Sequence, residues 1–395
     1  MNLVKKALLN IKTSIPRMHF GLLILMIGFA FFGLVMILSA SNVAAVVRYG
    51  VSPNYFSGKQ LLVVVGSFLL GFFLLNIPIK KYDKLSGFSI ILMIIVLVLL
   101  FTFGTIAGGA LSWFDLGYFN FQPTEFIKPI IIVYMASYYF NLINKKKYSL
   151  FDVLIPLLLC AVIVFLVLKQ PDLGGAAIIL LMVLSIFFAI PINKKFRKKI
   201  FYAFGIGILV VGLFALIFGK TLLQSYQVNR LINYANPCQR YTEDSGYQVC
   251  NGYIAIHNGG LFGVGLGQSS QKYLYLPEAH TDFIYPIIVE ECGLLVGILI
   301  VFLYFIMLVI ILDIAKKTYN LRNSILVYGV FVYLLAHILI NMLGVLGIIP
   351  LTGVPLPFLS YGGSYNFSVI VMLFLVQRVN IENRLERERK KIENL

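Results

Sequence analysis

The sequence predicts an all-α polytopic membrane protein of about ten transmembrane helices, on three observations. Apolar residues arrive in runs of about 20, long enough to span a hydrocarbon core about 30 Å thick as helices. Only 12% of the 395 residues are charged and 60% are hydrophobic, with a mean hydropathy of +0.91; a soluble domain carries roughly a quarter charged residues. The basic residues cluster in every second gap between apolar runs, the distribution that marks cytoplasmic connections. A soluble globule is therefore excluded, and the absence of strand-length alternation argues against a β-barrel.

The net charge of +16 alone would suggest a nucleic-acid partner, but its placement decides against one. Lys5/Lys6/Lys12/Arg17, Lys80/Lys81/Lys84, Lys145/Lys146/Lys147, Lys194/Lys195/Arg197/Lys198/Lys199, Lys316/Lys317/Arg322 and the tail from Arg378 to Lys391 hold 24 of the 32 Lys and Arg. Six cytoplasmic segments imply ten crossings with both termini in the cytoplasm.

In chain order the crossings are expected at 19–41, 60–78, 87–105, 123–143, 151–169, 174–193, 200–219, 284–312, 324–349 and 364–379. The first follows a basic stretch, but its apolar region is longer than a signal peptide needs, so it reads as a retained crossing. The fourth opens on Pro123, which suits a first helical turn. The outer connections are 42–59, 106–122, 170–173, 220–283 and 350–363, and the fourth, of about 64 residues, is long enough to carry structure or function of its own. The tail from Glu382 to Leu395 alternates acidic and basic residues and reads as a short solvated helix. The whole of 1–395 is one transmembrane domain, with a cytoplasmic N-terminus (1–18), the large outer loop (220–283) and a cytoplasmic tail (380–395).

Ionisable groups at membrane depth are costly and mark candidate function. Asp115, Glu125, Asp172, Glu243, Asp244, Glu278, Asp282, Glu290 and Glu291 escape the cytoplasmic side, most of them at outer helix ends, so activity belongs to the outer leaflet. Glu125 and Lys128 are three apart on one helix face; they form either a self-neutralising ion pair or the polar wall of a substrate cavity. Asp282 lies where the long loop re-enters the bilayer. It is either a helix N-cap or a general base with a pKa raised by desolvation, and the two roles are compatible. His280 reads as a hydrogen-bonding neighbour, and four scattered histidines make no metal cluster. The run from Gly259 to Gly267 lacks a βαβ setting for dinucleotide binding and reads as a close-packed glycine turn. The connection from Pro350 to Ser364 is dense in Pro and Gly, backbone tolerated at membrane depth only where it is buried or lines a cavity. Cys160 and Cys292 read as small buried apolar residues. Cys238 and Cys250 share the long loop, and an oxidising face permits a disulfide between them that their spacing does not decide.

Five blocks carry a resemblance: GGALSWFDLG followed by FQPTE, KQPDLGG at 169–175, GYQVCNGYIAIHNGGLFGVGLG at 246–267, LPEAHTDFIYPIIVEECG at 276–293, and NMLGVLGIIPLTGVPLPFLSYGGS at 341–364. In this order the chain resembles the SEDS family (shape, elongation, division and sporulation), polytopic peptidoglycan polymerases that include FtsW and RodA, and within it looks most like the division-septum member FtsW. Thr124 stands where serine is common, and Ser112 where arginine is frequent. The resemblance implies polymerisation of lipid II into glycan strands on the outer face of the bacterial cytoplasmic membrane at the division septum, alongside a class B penicillin-binding protein transpeptidase and other division proteins. It maps an essential aspartate onto Asp282, a cavity glutamate and lysine onto Glu125 and Lys128, and an outer-loop glutamate onto Glu290.

Chemically, a base must take a sugar hydroxyl's proton, and cations must meet a departing lipid pyrophosphate. Asp282 is the candidate for that base. Lys128, Arg230 and Lys272 are the candidate outer-side cations, with a divalent Mg or Mn ion held by carboxylates as the one cofactor to consider. Direct displacement at the anomeric carbon would invert its configuration. Gln122, Asp172, His280, Thr281, Glu290 and Ser360 complete the substrate-binding candidates with Glu125. The alternatives are a lipid II flippase, which would need polar groups along the whole crossing path, and a recruiting scaffold, for which Asp282 would be dispensable.

Overall fold

The computed structural model describes residues 14–107, 110–117, 120–145, 147–202, 205, 237–241 and 244–393. Its elements in order are α1 (Phe20–Val47), α2 (Tyr55–Leu74), α3 (Asp83–Phe103), β1 (Thr105–Ala107), β2 (Ala110–Asp115), β3 (Asn120–Phe121), α4 (Pro123–Ile143), α5 (Leu150–Lys169), α6 (Leu173–Ala189), α7 (Asp244–Gly259), α8 (Ile284–Cys292), α9 (Leu294–Lys316), α10 (Leu321–Val345) and α11 (Gly363–Glu393). Among the described residues eight helices are long and apolar enough to cross a membrane, namely α1 to α5 and α9 to α11, and α6 is a shorter apolar helix of 17 residues. These occupy nine of the ten expected crossings. The other, at 200–219, falls almost entirely outside the described residues.

Three local expectations are corrected. The second outer connection holds a small antiparallel sheet in the order β1-β2-β3, with Thr105 opposite Trp113 and Phe114 opposite Phe121; its strands are too short for alternation to reveal. The eighth crossing is not one helix over 284–312. The chain breaks at Gly293 (φ 89°, ψ 163°), a backbone conformation essentially closed to residues with a Cβ. Leu294 N donates to Gly260 O (2.9 Å), while Val264 N and Gly265 N donate to Glu290 O and Glu291 O (2.9 and 3.0 Å). The glycine turn thus takes up carbonyls orphaned at the end of α8, and α9 alone crosses. The tail, finally, continues α11 without a break and is solvated only from Arg387 onward. Glu382 accepts from Ile79 N (3.0 Å), Arg378 Nε (3.1 Å) and Asn323 Nδ2 (2.8 Å), which docks that part of the tail on its neighbours.

Lipid tails are as apolar as leucine, so helix association here rests on close packing and internal hydrogen bonds. Beside α11, 78% of whose most apolar 18 residues are buried, the central element is α10, which packs against α4, α6, α9 and α11. Within the most apolar 18 residues of α10 67% are buried, against 22% for α2 and 28% for α3 and α5, whose apolar faces are left for lipid. At the end carrying the basic clusters, a buried Arg322 pairs with Asp83, which also accepts from Ser137 Oγ (2.7 Å). That ion pair joins the first turns of α3 and α10.

At the opposite end the Pro/Gly-rich connection after α10 dips into the bundle. Tyr304 of α9 donates to Pro357 O (2.5 Å), and Asn366 of α11 accepts from Phe358 N (3.0 Å) and donates to Ser360 O (2.8 Å). Phe29 of α1 stacks on Tyr304 with centroids 4.4 Å apart. Gly33 makes room for this: a Cβ there would lie 2.2 Å from Phe358 O. Gly33 is 14 residues from the end of α1, so at 1.5 Å per residue the loop tip reaches about 20 Å down the helix, near mid-membrane. Its polar backbone survives at that depth because it is buried in protein and paired.

Candidate active site

The site is assembled on the last turns of α10, where His337 and Asn341 stand four residues apart on one face. Asn341 Nδ2 donates to Asp282 O and to Val354 O, both at 2.8 Å, so one amide fastens the 276–283 segment to the re-entrant loop. Asp282 is half-buried beside a cleft of about 10 Å³ lined by Asn341, Gly344, Leu351, Thr352 and Gly353, room for about one water. Helix α8 starts at Ile284 with Phe283 in the N-cap position, so Asp282 stands one residue ahead of the cap. Thr281 Oγ1 lies 2.7 Å from Glu278 Oε2 and 3.2 Å from Asp282 Oδ1. A hydroxyl has one proton and serves only one of them at a time. Glu278 holds a left-handed backbone (φ 53°), a cost of about 1 kcal/mol or more of the kind that gathers at functional sites.

Glu125 and Lys128 occupy the first two turns of α4, 4% and 1% exposed, with Lys128 Nζ 2.5 Å from Glu125 Oε1. Nζ also lies 3.5 Å from His337 Nε2 and 5.9 Å from the Tyr333 ring centroid. Glu125 Oε2 and the Tyr333, Tyr365 and Thr124 hydroxyls make no hydrogen bond of ordinary geometry, although Tyr333 stands close to Glu125. Bare polar atoms around a buried ion pair are expensive, and a polar ligand would meet them. Asp172 N-caps α6 through Gly175 N (2.7 Å), is near enough to Glu125 to be felt electrostatically, and leads into Gly174, which packs on Thr352 and Val354. Gln122 lies just ahead of α4, its backbone N–H donating to Ser364 Oγ (3.1 Å). Asp282, Thr281, Glu125, Lys128 and Asp172 thus surround the end of α10 and the loop that follows it.

Other candidates lie elsewhere. Glu290, 1% exposed, accepts from Ser270 N and Oγ (3.2 and 2.9 Å), Gln271 N (3.3 Å), Asn258 Nδ2 (3.2 Å) and Ser269 Oγ; both oxygens are consumed in clamping the 269–271 loop. Lys272 pairs with Glu291 (3.1 Å) and donates to Gly267 O (2.6 Å), while Ser39 of α1 lies 2.7 Å from both Glu291 oxygens. Ser360 Oγ accepts from Leu356 N (2.8 Å) inside the re-entrant turn. His280 sits between Phe56 and Tyr361, at centroid distances of 4.7 and 5.8 Å. Burial pushes its imidazole pKa down, aided by Arg48 and opposed by Glu278. His280 and Lys272 line a second cavity of about 250 Å³ with Arg48, Tyr49, Glu278 and the end of α1. Cys238 and Cys250 form a disulfide at the start of α7. Arg230 lies outside the described residues.

Sequence reasoning passed over His337, Asn341 and Arg48. The first two carried a readable signal, polar side chains one turn apart inside an apolar run; Arg48 showed only as a lone cation beyond the first crossing. Among the described residues no three His, Cys, Asp or Glu side chains converge as a metal site would require. The arrangement offers a half-buried carboxylate beside a cleft, and a buried lysine one turn of α10 away.

Comparison with known proteins fits this picture. The family model of FtsW/RodA/SpoVE, described as cell cycle protein, matches residues 20–385. A probable peptidoglycan glycosyltransferase FtsW of Bacillus subtilis (strain 168) is 33% identical over 392 residues, 98% of this chain and 96% of the relative. One of Geobacter sulfurreducens is 34% identical, over 96% of this chain and 98% of its own. Among solved structures, a chain from work on the structural coordination of polymerization and crosslinking by a peptidoglycan synthase complex superposes with a TM-score of 0.73 at 23% identity, over 93% of this chain and 98% of that one. The rod shape determining protein RodA of Thermus thermophilus gives 0.64 at 26%, over 92% and 96%.

Proposed function

This chain belongs to the FtsW/RodA/SpoVE family, and as a peptidoglycan glycosyltransferase of that family, we propose, it polymerises lipid II at the outer face of the cytoplasmic membrane, for the division septum. The observation that carries the reading is Asp282, held by Asn341 at a cleft whose far wall is the re-entrant loop, one turn of α10 from the buried Glu125–Lys128 pair.

In the proposed step the Asp282 carboxylate takes the proton of the acceptor sugar's hydroxyl as its oxygen bonds to the donor's anomeric carbon. The bond from that carbon to the lipid pyrophosphate breaks with inversion, and the electron pair leaves on the phosphate oxygen. A positioned base contributes about 10²–10⁴ in rate. The leaving charge is met by Lys128, with Arg48 at the neighbouring cavity; cations fixed in a site that excludes water act without reorganisation at the moment of reaction. A class B penicillin-binding protein is the proposed partner, since a crosslinking enzyme consumes the strand this one makes.

The test is polymerisation of labelled lipid II by the purified protein with that partner in proteoliposomes. Asp282→Ala is expected to lose about 10²-fold or more while melting as wild type does. Full activity in that variant overturns the base assignment. Movement of lipid II across the bilayer without strand formation would favour a flippase.

A further inference from the structure

We infer that His337 is a positioning residue, resting on the glycosyltransferase reading: it accepts from the Lys128 ammonium and ties that cation to the re-entrant loop. An ammonium has three protons and no lone pair. One proton of Lys128 goes to Glu125 Oε1 at 2.5 Å, and Nζ lies 3.5 Å from His337 Nε2. Facing a group that only donates, Nε2 must present its lone pair, which places the ring proton on Nδ1. On the other side of the ring Nδ1 lies 3.4 Å from Pro355 O, which only accepts. Two independent neighbours therefore demand the same neutral tautomer.

Both contacts are long, so neither by itself fixes the ring. Packing does. His337 is fully buried, with the Tyr333 and Tyr365 centroids 4.5 and 4.7 Å away, the latter stacked at 27°. Pro355 follows Val354, whose carbonyl Asn341 joins to Asp282 O. A connection thus runs from Lys128 through His337 to the loop, and through Asn341 to the proposed base. A neutral acceptor suits this place, because it orients the ammonium without cancelling the charge that a pyrophosphate would need. A second carboxylate would cancel it.

Three variants separate the roles. His337→Phe keeps an aromatic ring in the stack and removes both nitrogens. His337→Asn keeps a donor near Pro355 but cannot reach Lys128, and His337→Gln keeps an acceptor that can. Polymerisation kinetics are measured beside wild type and Asp282→Ala, with melting midpoints. Misplacing a catalytic group by about 1 Å costs up to about 100-fold, so kcat is expected to fall about tenfold or more in His337→Phe and His337→Asn, with KM within about threefold. His337→Gln is expected to restore kcat to within about fivefold of wild type. A kcat within threefold of wild type in His337→Phe overturns the inference, as does a His337→Gln rate as low as that of His337→Phe. Should His337→Phe fail to fold, His337→Asn decides by the same threshold. If wild type is no more active than Asp282→Ala, the glycosyltransferase reading itself has failed and this inference falls with it.

Discussion

Replacing Lys128 with methionine removes the cation and leaves Glu125 4% exposed with both oxygens bare, since Oε1 loses its partner at 2.5 Å and Oε2 has none of ordinary geometry. Breaking a buried pair from one side costs about 3–5 kcal/mol, because the surviving charge keeps its desolvation penalty and loses the compensating attraction. At about 2 °C per kcal/mol, the melting midpoint should drop by about 6–10 °C. Glu125→Gln together with Lys128→Met removes both charges at nearly constant volume, and most of that loss should return. Stability and activity then part company. The double variant should melt near wild type yet polymerise lipid II about 10²-fold more slowly, the scale of one lost transition-state contact. Scanning fluorimetry in detergent and a strand-length gel read the two quantities on the same preparations. If the double variant recovers activity along with stability, the pair is a self-neutralising structural element and Lys128 has no part in the chemistry. If it stays as unstable as Lys128→Met, the two charges are not coupled in the way their geometry implies.

Three further outcomes are expected. Gly33→Ala places a Cβ 2.2 Å from Phe358 O and should cost about 1–3 kcal/mol by overpacking, whereas Gly28→Ala on the same helix meets nothing within 4 Å and should be harmless; equal melting of the two would refute the packed re-entrant loop. Because burial holds the His280 pKa below its ordinary 6.5, the neutral ring's contribution is fully present above pH 6.5 and is lost as acid protonates the unfolded state preferentially. The stability difference between wild type and His280→Phe should therefore be constant from pH 7 to 8 and shrink below 6.5, as melting curves across that range would show. Reduction of Cys238–Cys250, a loop with a sequence separation of 12, should cost about 2–3 kcal/mol by the chain-entropy account, and a midpoint unmoved by reductant would show that the loop is held by other contacts.

The candidate site was half legible. Glu125 and Lys128 were readable as a pair because helical periodicity puts residues three apart on one face, and the Pro/Gly-rich fifth outer connection was readable as buried backbone because a bilayer tolerates no other kind. Asp282 was readable as a polar group at a boundary, but its two roles were not separable until α8 was seen to begin two residues later. Glu290 was drawn toward the substrate by the family resemblance and Lys272 by its charge, and the structure occupies both with contacts to Ser270, Gln271, Gly267 and Glu291.

What the sequence determined by itself is the solvent and therefore the class of fold: runs of about 20 apolar residues can only be helices in lipid, since every backbone group must be paired within its own segment. From the basic clusters it also indicated which helix ends belong together. What only tertiary structure decided is who partners whom. Asn341 and Asp282 are 59 residues apart, Lys128 and His337 are 209, and Ser39 and Glu291 are 252. Periodicity reports on neighbours within a turn or two. Whether a buried carboxylate clamps a loop or faces a cleft depends on the side chains that other helices bring to it.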